Sequence, residues 1–124
     1  MVEPTAEDDR IRRQTELGSQ RWEAIGHFLT DGDHLGFNLS NYRGAIAEYE
    51  KAWELLDTPW QQRTGADILD GIADFALRSG EIELARETLE ILRPRAAQIA
   101  RASLQLACDK LAALAIGQEQ DPTS

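Results

Sequence analysis

The stretch NYRGAIAEYEKAWELL, residues 41–56, decides the fold class. Its apolar or small residues fall at Ala45, Ile46, Tyr49, Ala52, Trp53 and Leu56. That spacing is one stripe of an α-helix, and Glu48, Glu50, Lys51 and Glu54 take the remaining faces. Ser40 or Asn41 suits the N-cap, because its side-chain oxygen can accept an otherwise unpaired backbone N–H. Asp57-Thr58-Pro59 closes the segment, and Pro59 suits the first turn of the helix that follows.

Downstream, a helix is predicted from about Trp60 to Ser79, with Ile68, Leu69, Ile72, Ala73, Phe75 and Ala76 as its stripe. Gly71 inside it costs about 1 kcal/mol of helix propensity against Ala, which implies a packing reason. Gly80 stands where a left-handed C-terminal residue is expected. Glu81–Leu92 forms the next helix, buried through Ile82, Ala85, Leu89 and Leu92. Pro94 is expected to break it and to start a last, Ala- and Leu-rich helix that stops at Gly117. Upstream, a helix from about Ala6 to Thr30 presents Trp22, Ile25, Gly26 and Leu29. Asp31–Ser40 reads as a long inter-helix loop that packs Leu35, Phe37 and Leu39 over one end of the bundle. The tail 118–124 reads as disordered. No segment alternates with period two for long enough to make a strand, so the expected fold class is all-α, one domain over 1–124 with about five antiparallel helices.

Composition narrows the function classes. The chain has 124 residues, 42% of them hydrophobic and 28% charged, an ordinary balance for a domain with a core. Its 13 Lys and Arg against 22 Asp and Glu leave a net charge of −9, which argues against a broad phosphate-binding surface and hence against nucleic acid. No run of apolar residues is long enough for a membrane span, and the N-terminus lacks the apolar core of a signal peptide. The single Cys108 can make no internal disulfide, which fits a reducing, cytoplasmic setting.

Two segments carry a family likeness. Trp22, Ile25, Gly26 and Leu29 spell W-x-x-I-G-x-x-L, and Tyr42, Ala45, Tyr49 and Ala52 follow as an aromatic–small–aromatic–small ladder. A second set repeats the scheme at Leu69, Ile72, Ala73, Ala76, Gly80, Ile82, Ala85, Leu89 and Leu92. The chain thus resembles the tetratricopeptide (TPR) repeat family, with repeats over about 20–58 and 66–97 and a capping helix over 94–117. Gly26 and Ala73 are then expected to let paired helices approach closely. Ala76 and Leu92 depart from the family pattern, and the 31–40 segment lengthens a turn that the family keeps short.

The resemblance implies that the first helix of each hairpin lines a concave groove. Its ligand positions fall on Gln20, Glu23, His27, Thr30 and Asp31, and on Asp67, Asp70, Asp74, Leu77 and Arg78. Independently of any family, Asp67, Asp70 and Asp74 sit at i, i+3 and i+7, share one helix face and repel one another. A basic ligand would offset that repulsion, although charge runs are often no more than solvated faces. Other constellations carry less. Asp31, Asp33 and Gly36 resemble the opening of a calcium loop, but Leu35 and Tyr42 stand where oxygen ligands belong. Glu23, His27 and Asp31 share a face that offers one imidazole and two carboxylates, short of a dedicated zinc site. Cys108 reads as a small buried hydrophobe, and Trp60 as the most exposed of the three tryptophans.

No phosphate loop, nucleophile elbow, catalytic triad or cysteine metal set is present, so neither enzyme nor cofactor is expected. The expected role is protein–protein interaction: an acidic concave groove that grips a peptide or a basic protein surface. An immunity- or inhibitor-type protein that masks a basic enzyme or toxin is the alternative. A structural homo-oligomer is another, since Arg93, Arg95, Arg101 and Lys110 make the last helix basic beside an acidic remainder.

Overall fold

The computed structural model describes residues 6–59 and 63–117. The helices are α1 (Ala6–Asp33), a π-helical turn (His34–Asn38), α2 (Tyr42–Glu54), α3 (Arg63–Ser79), α4 (Ile82–Ala96) and α5 (Ala102–Ala115). The fold is all-α, an antiparallel succession of helical hairpins. The α2 helix packs against both α1 and α3, while α5 packs against α3 and α4. One core cluster runs from Ile25 of α1 through Ile46, Trp53, Leu69, Ile72, Phe75, Leu89 and Leu92 to Leu104 and Leu111 of α5. The readings of Trp60 and of the tail 118–124 lie outside the described residues.

Local signals account for the ends of these elements. Asn41 caps α2, its side chain accepting from the amide of Gly44 at 3.0 Å. Gly80 follows α3 with φ +66°, the left-handed conformation that glycine adopts without a steric cost.

Three boundaries differ from expectation. The 31–40 segment is not a loop: α1 runs to Asp33 and passes into the π turn, which closes with the Asn41 amide donating to the Leu35 carbonyl at 2.8 Å. Within it Leu35 packs on the core, whereas Phe37 and Leu39 are more than half exposed. Pro94 lies inside α4 and starts no helix. Buried Leu92 and Ala96 on either side hold that last turn helical, and the loss of one hydrogen bond near a helix end costs less than in the interior. The connection over 97–101 is anchored instead by Ile99, 8% exposed.

Of the two small residues expected to let helices approach closely, Ala73 is fully buried in the core, but the close approach of α1 falls elsewhere than at Gly26. Gly26 is exposed with open space where a Cβ would be, and Trp22 is half exposed. The α1 approach is made six residues later, at Gly32. A Cβ on Gly32 would lie 2.6 Å from Cδ1 of Tyr49, and one on Gly71 of α3 would lie 2.3 Å from Cε2 on the ring's other edge. The Tyr49 ring of α2 is therefore wedged between two glycine slots, one on each neighbouring helix. This is the packing reason for Gly71.

Candidate functional site

Wedging Tyr49 between α1 and α3 leaves a groove above it. Leu29 of α1, Tyr49 of α2 and Thr64, Asp67 and Ile68 of α3 line a depression of about 150 Å³. Trp22, Leu29 and Asp33 are spaced i, i+7 and i+11 and so share one flank of α1, with Trp22 lining a separate depression beside Leu55, Leu56 and Asp57 at the end of α2. Asp33 accepts a hydrogen bond from the Tyr49 hydroxyl. Burial raises the pKa of that phenol, and the carboxylates of Asp33 and, more weakly, Asp74 raise it further. Carboxylates from both walls thus act on one phenol.

The two walls treat their carboxylates differently. On α3, Asp67, Asp70 and Asp74 do share a face, but they do not wait for an outside cation. Arg101, in the turn before α5, donates to Asp67 Oδ1 at 2.7 Å and to Asp70 Oδ2 at 2.8 Å. Ser103 Oγ adds a contact to Asp70 at 3.2 Å, and Arg78 Nε holds Asp74 at 2.7 Å. Hydrogen bonds to these aspartates shift both guanidiniums further toward the protonated form. The expected repulsion is therefore answered within the chain. Leu77 is half buried against the core, and Arg78 stacks over Phe37 with 5.1 Å to the ring centroid.

On α1, Gln20, Glu23, His27, Thr30 and Asp31 are all exposed, and Glu23, His27 and Asp31 form no ion pair among the described residues. Asp33, half buried, has the Tyr49 hydroxyl but no cation within ion-pair distance among those residues. Sequence reasoning missed Asp33 because it placed that residue in a loop. Its i+7 and i+11 relation to Trp22 and Leu29 becomes visible only once α1 is extended through it. No group of three or more His, Cys, Asp or Glu among the described residues is arranged to hold a metal ion. Cys108 is half exposed, and burial together with Asp109 pushes its thiol pKa up, away from the nucleophilic thiolate.

No family, curated protein or solved structure matches this chain. Among the described residues no helix is long and apolar enough to cross a membrane.

Proposed function

We propose that this chain is a small TPR-like interaction module whose concave α1–α3 groove holds a peptide or a basic surface of a partner protein. The observation that supports this most is the contrast between the groove's walls. Asp67, Asp70 and Asp74 are matched by Arg101 and Arg78, whereas Asp33, Asp31 and Glu23 have no internal counter-charge among the described residues. A half-buried carboxylate without a cation carries a desolvation cost that a partner's Lys or Arg offsets. The apolar floor of Leu29 and Ile68 beside it takes an apolar side chain of the same segment. Rigid helices position both features before the partner arrives, which lowers the ordering cost of association. The surplus of negative charge steers the encounter.

The test is a titration of a panel of synthetic peptides, basic-apolar against acidic-apolar and neutral, followed by NMR shift perturbation. Basic-apolar peptides are expected to bind preferentially and to perturb Leu29, Asp33, Tyr49 and Ile68. Asp33→Asn keeps an oxygen for the Tyr49 hydroxyl but removes the charge. It is expected to weaken binding about two- to fivefold, the range of one exposed ion pair. No preference for basic peptides, or perturbations confined to other helices, would remove the groove from consideration.

A further inference from the structure

The α5 helix is apolar on two opposite faces. One, with Leu104, Cys108, Leu111 and Ala115 in steps of four, three and four, packs into the core. The other, with Ala102, Leu106, Asp109, Ala113 and Ile116 in steps of four, three, four and three, is exposed, with none of the described residues covering it. Leu106 is 55% exposed and Ile116, at the helix C-cap, is 40% exposed. The end helix of a helical stack ordinarily presents a polar outer face, whereas this one exposes Leu106 and Ile116 on either side of Asp109. Beside this ladder, α4 and α5 enclose a depression of about 260 Å³ floored by small side chains, among them Ala96, Ala97 and Ala112. Its two charged lining residues, Arg93 and Asp109, are of opposite sign, and neither is ion-paired among the described residues.

We infer that α5 is a dimerisation surface, occupied by α5 of a second copy related by a two-fold axis. The charges argue for a second copy rather than another protein. In a two-fold interface each contact occurs twice with its partners exchanged, so Arg93 of either protomer meets Asp109 of the other and both are satisfied at once. The small residues of the depression let the helices approach closely, and the outer ladder has the alternating three- and four-residue spacing of a helix–helix seam. The single charge within that ladder, Asp109, favours the one register that brings Arg93 to it. These residues lie on different helices from the α1–α3 groove, and the inference stands whether or not that groove binds peptides.

Light scattering coupled to size exclusion, run over a range of protein concentrations, tests it. The chain is expected to approach twice its own mass as concentration rises. Leu106→Glu and Ala113→Glu, both at positions exposed in the single chain, are expected to abolish that rise with helical circular dichroism unchanged. Arg93→Asp and Asp109→Arg should each weaken association, and the double variant should restore it, a readout that does not depend on the ladder variants folding. A chain that stays monomeric to millimolar concentration overturns the inference. So does an assembly that survives Leu106→Glu, or a double reversal that restores nothing.

Discussion

The two flanks of α3 are built on different chemistry. Toward α1 and α2 the contact is aromatic and tight. Phe75 meets Tyr49 edge-on at 5.1 Å and lies 5.2 Å from the exposed Phe37, while glycines at positions 32, 36 and 71 admit the rings. Toward α5 the contact is aliphatic beneath, through Leu104 and Leu111, and ionic at its edge, through Arg101. On the aromatic flank the half-buried Asp33 accepts from a neutral hydroxyl, whereas on the other flank Asp67 and Asp70 accept from a guanidinium. Carboxylates that look alike in the sequence therefore differ in how far they are matched within the chain.

The largest effect that would sharpen this contrast comes from Phe75→Ala, since the side chain is 1% exposed and touches three other rings. A loss of about 3–5 kcal/mol is expected in urea unfolding, the range for a buried Phe reduced to Ala. Gly71→Ala should follow, destabilising by about 1–3 kcal/mol through overpacking against Tyr49 despite the better helix propensity. A stabilised Gly71→Ala would show that the ring moves aside freely and that the aromatic flank is not tight. Tyr49→Phe tests the same flank by pH. The Tyr49 pKa is raised above its ordinary value of 10.0, so its contribution is complete below that pH and lost as the pH climbs through the folded value. The wild type is expected to lose stability from about pH 10 upward more steeply than Tyr49→Phe, as read by alkaline unfolding curves. Arg101→Ala gives the smallest shift, because its ion pairs are partly open to solvent. It should lower the denaturant midpoint at low salt, speed amide exchange in α5, and converge with the wild type at high salt. A midpoint change independent of salt would mean that Arg101 acts through packing and that the two flanks differ less than their charges suggest.

Much of the fold was legible in the chain because amphipathic periodicity is a local property. The α2 stripe, the Asn41 cap, the Gly80 stop and the need for a packing partner at Gly71 all follow from residues within a turn or two of each other. Pro94 and the 31–40 segment misled for a common reason. Breaker residues state a local preference, and tertiary burial overrode it, holding Leu92 and Ala96 in α4 and drawing Gly36 against the Phe75 ring. The candidate site was only half legible. Helical spacing put Asp67, Asp70 and Asp74 on one face, but nothing near them in the chain pointed to Arg101, more than thirty residues away.

Sequence by itself determined that this protein is helical, acidic and built of successive antiparallel hairpins, because each of those properties depends on composition or on neighbours in the chain. Tertiary structure alone decided which carboxylates are already matched, which glycines admit a ring, and which face of α5 is exposed among the described residues. Those outcomes depend on distances between groups far apart in the chain, and periodicity within one helix carries no information about what the next helix brings to meet it.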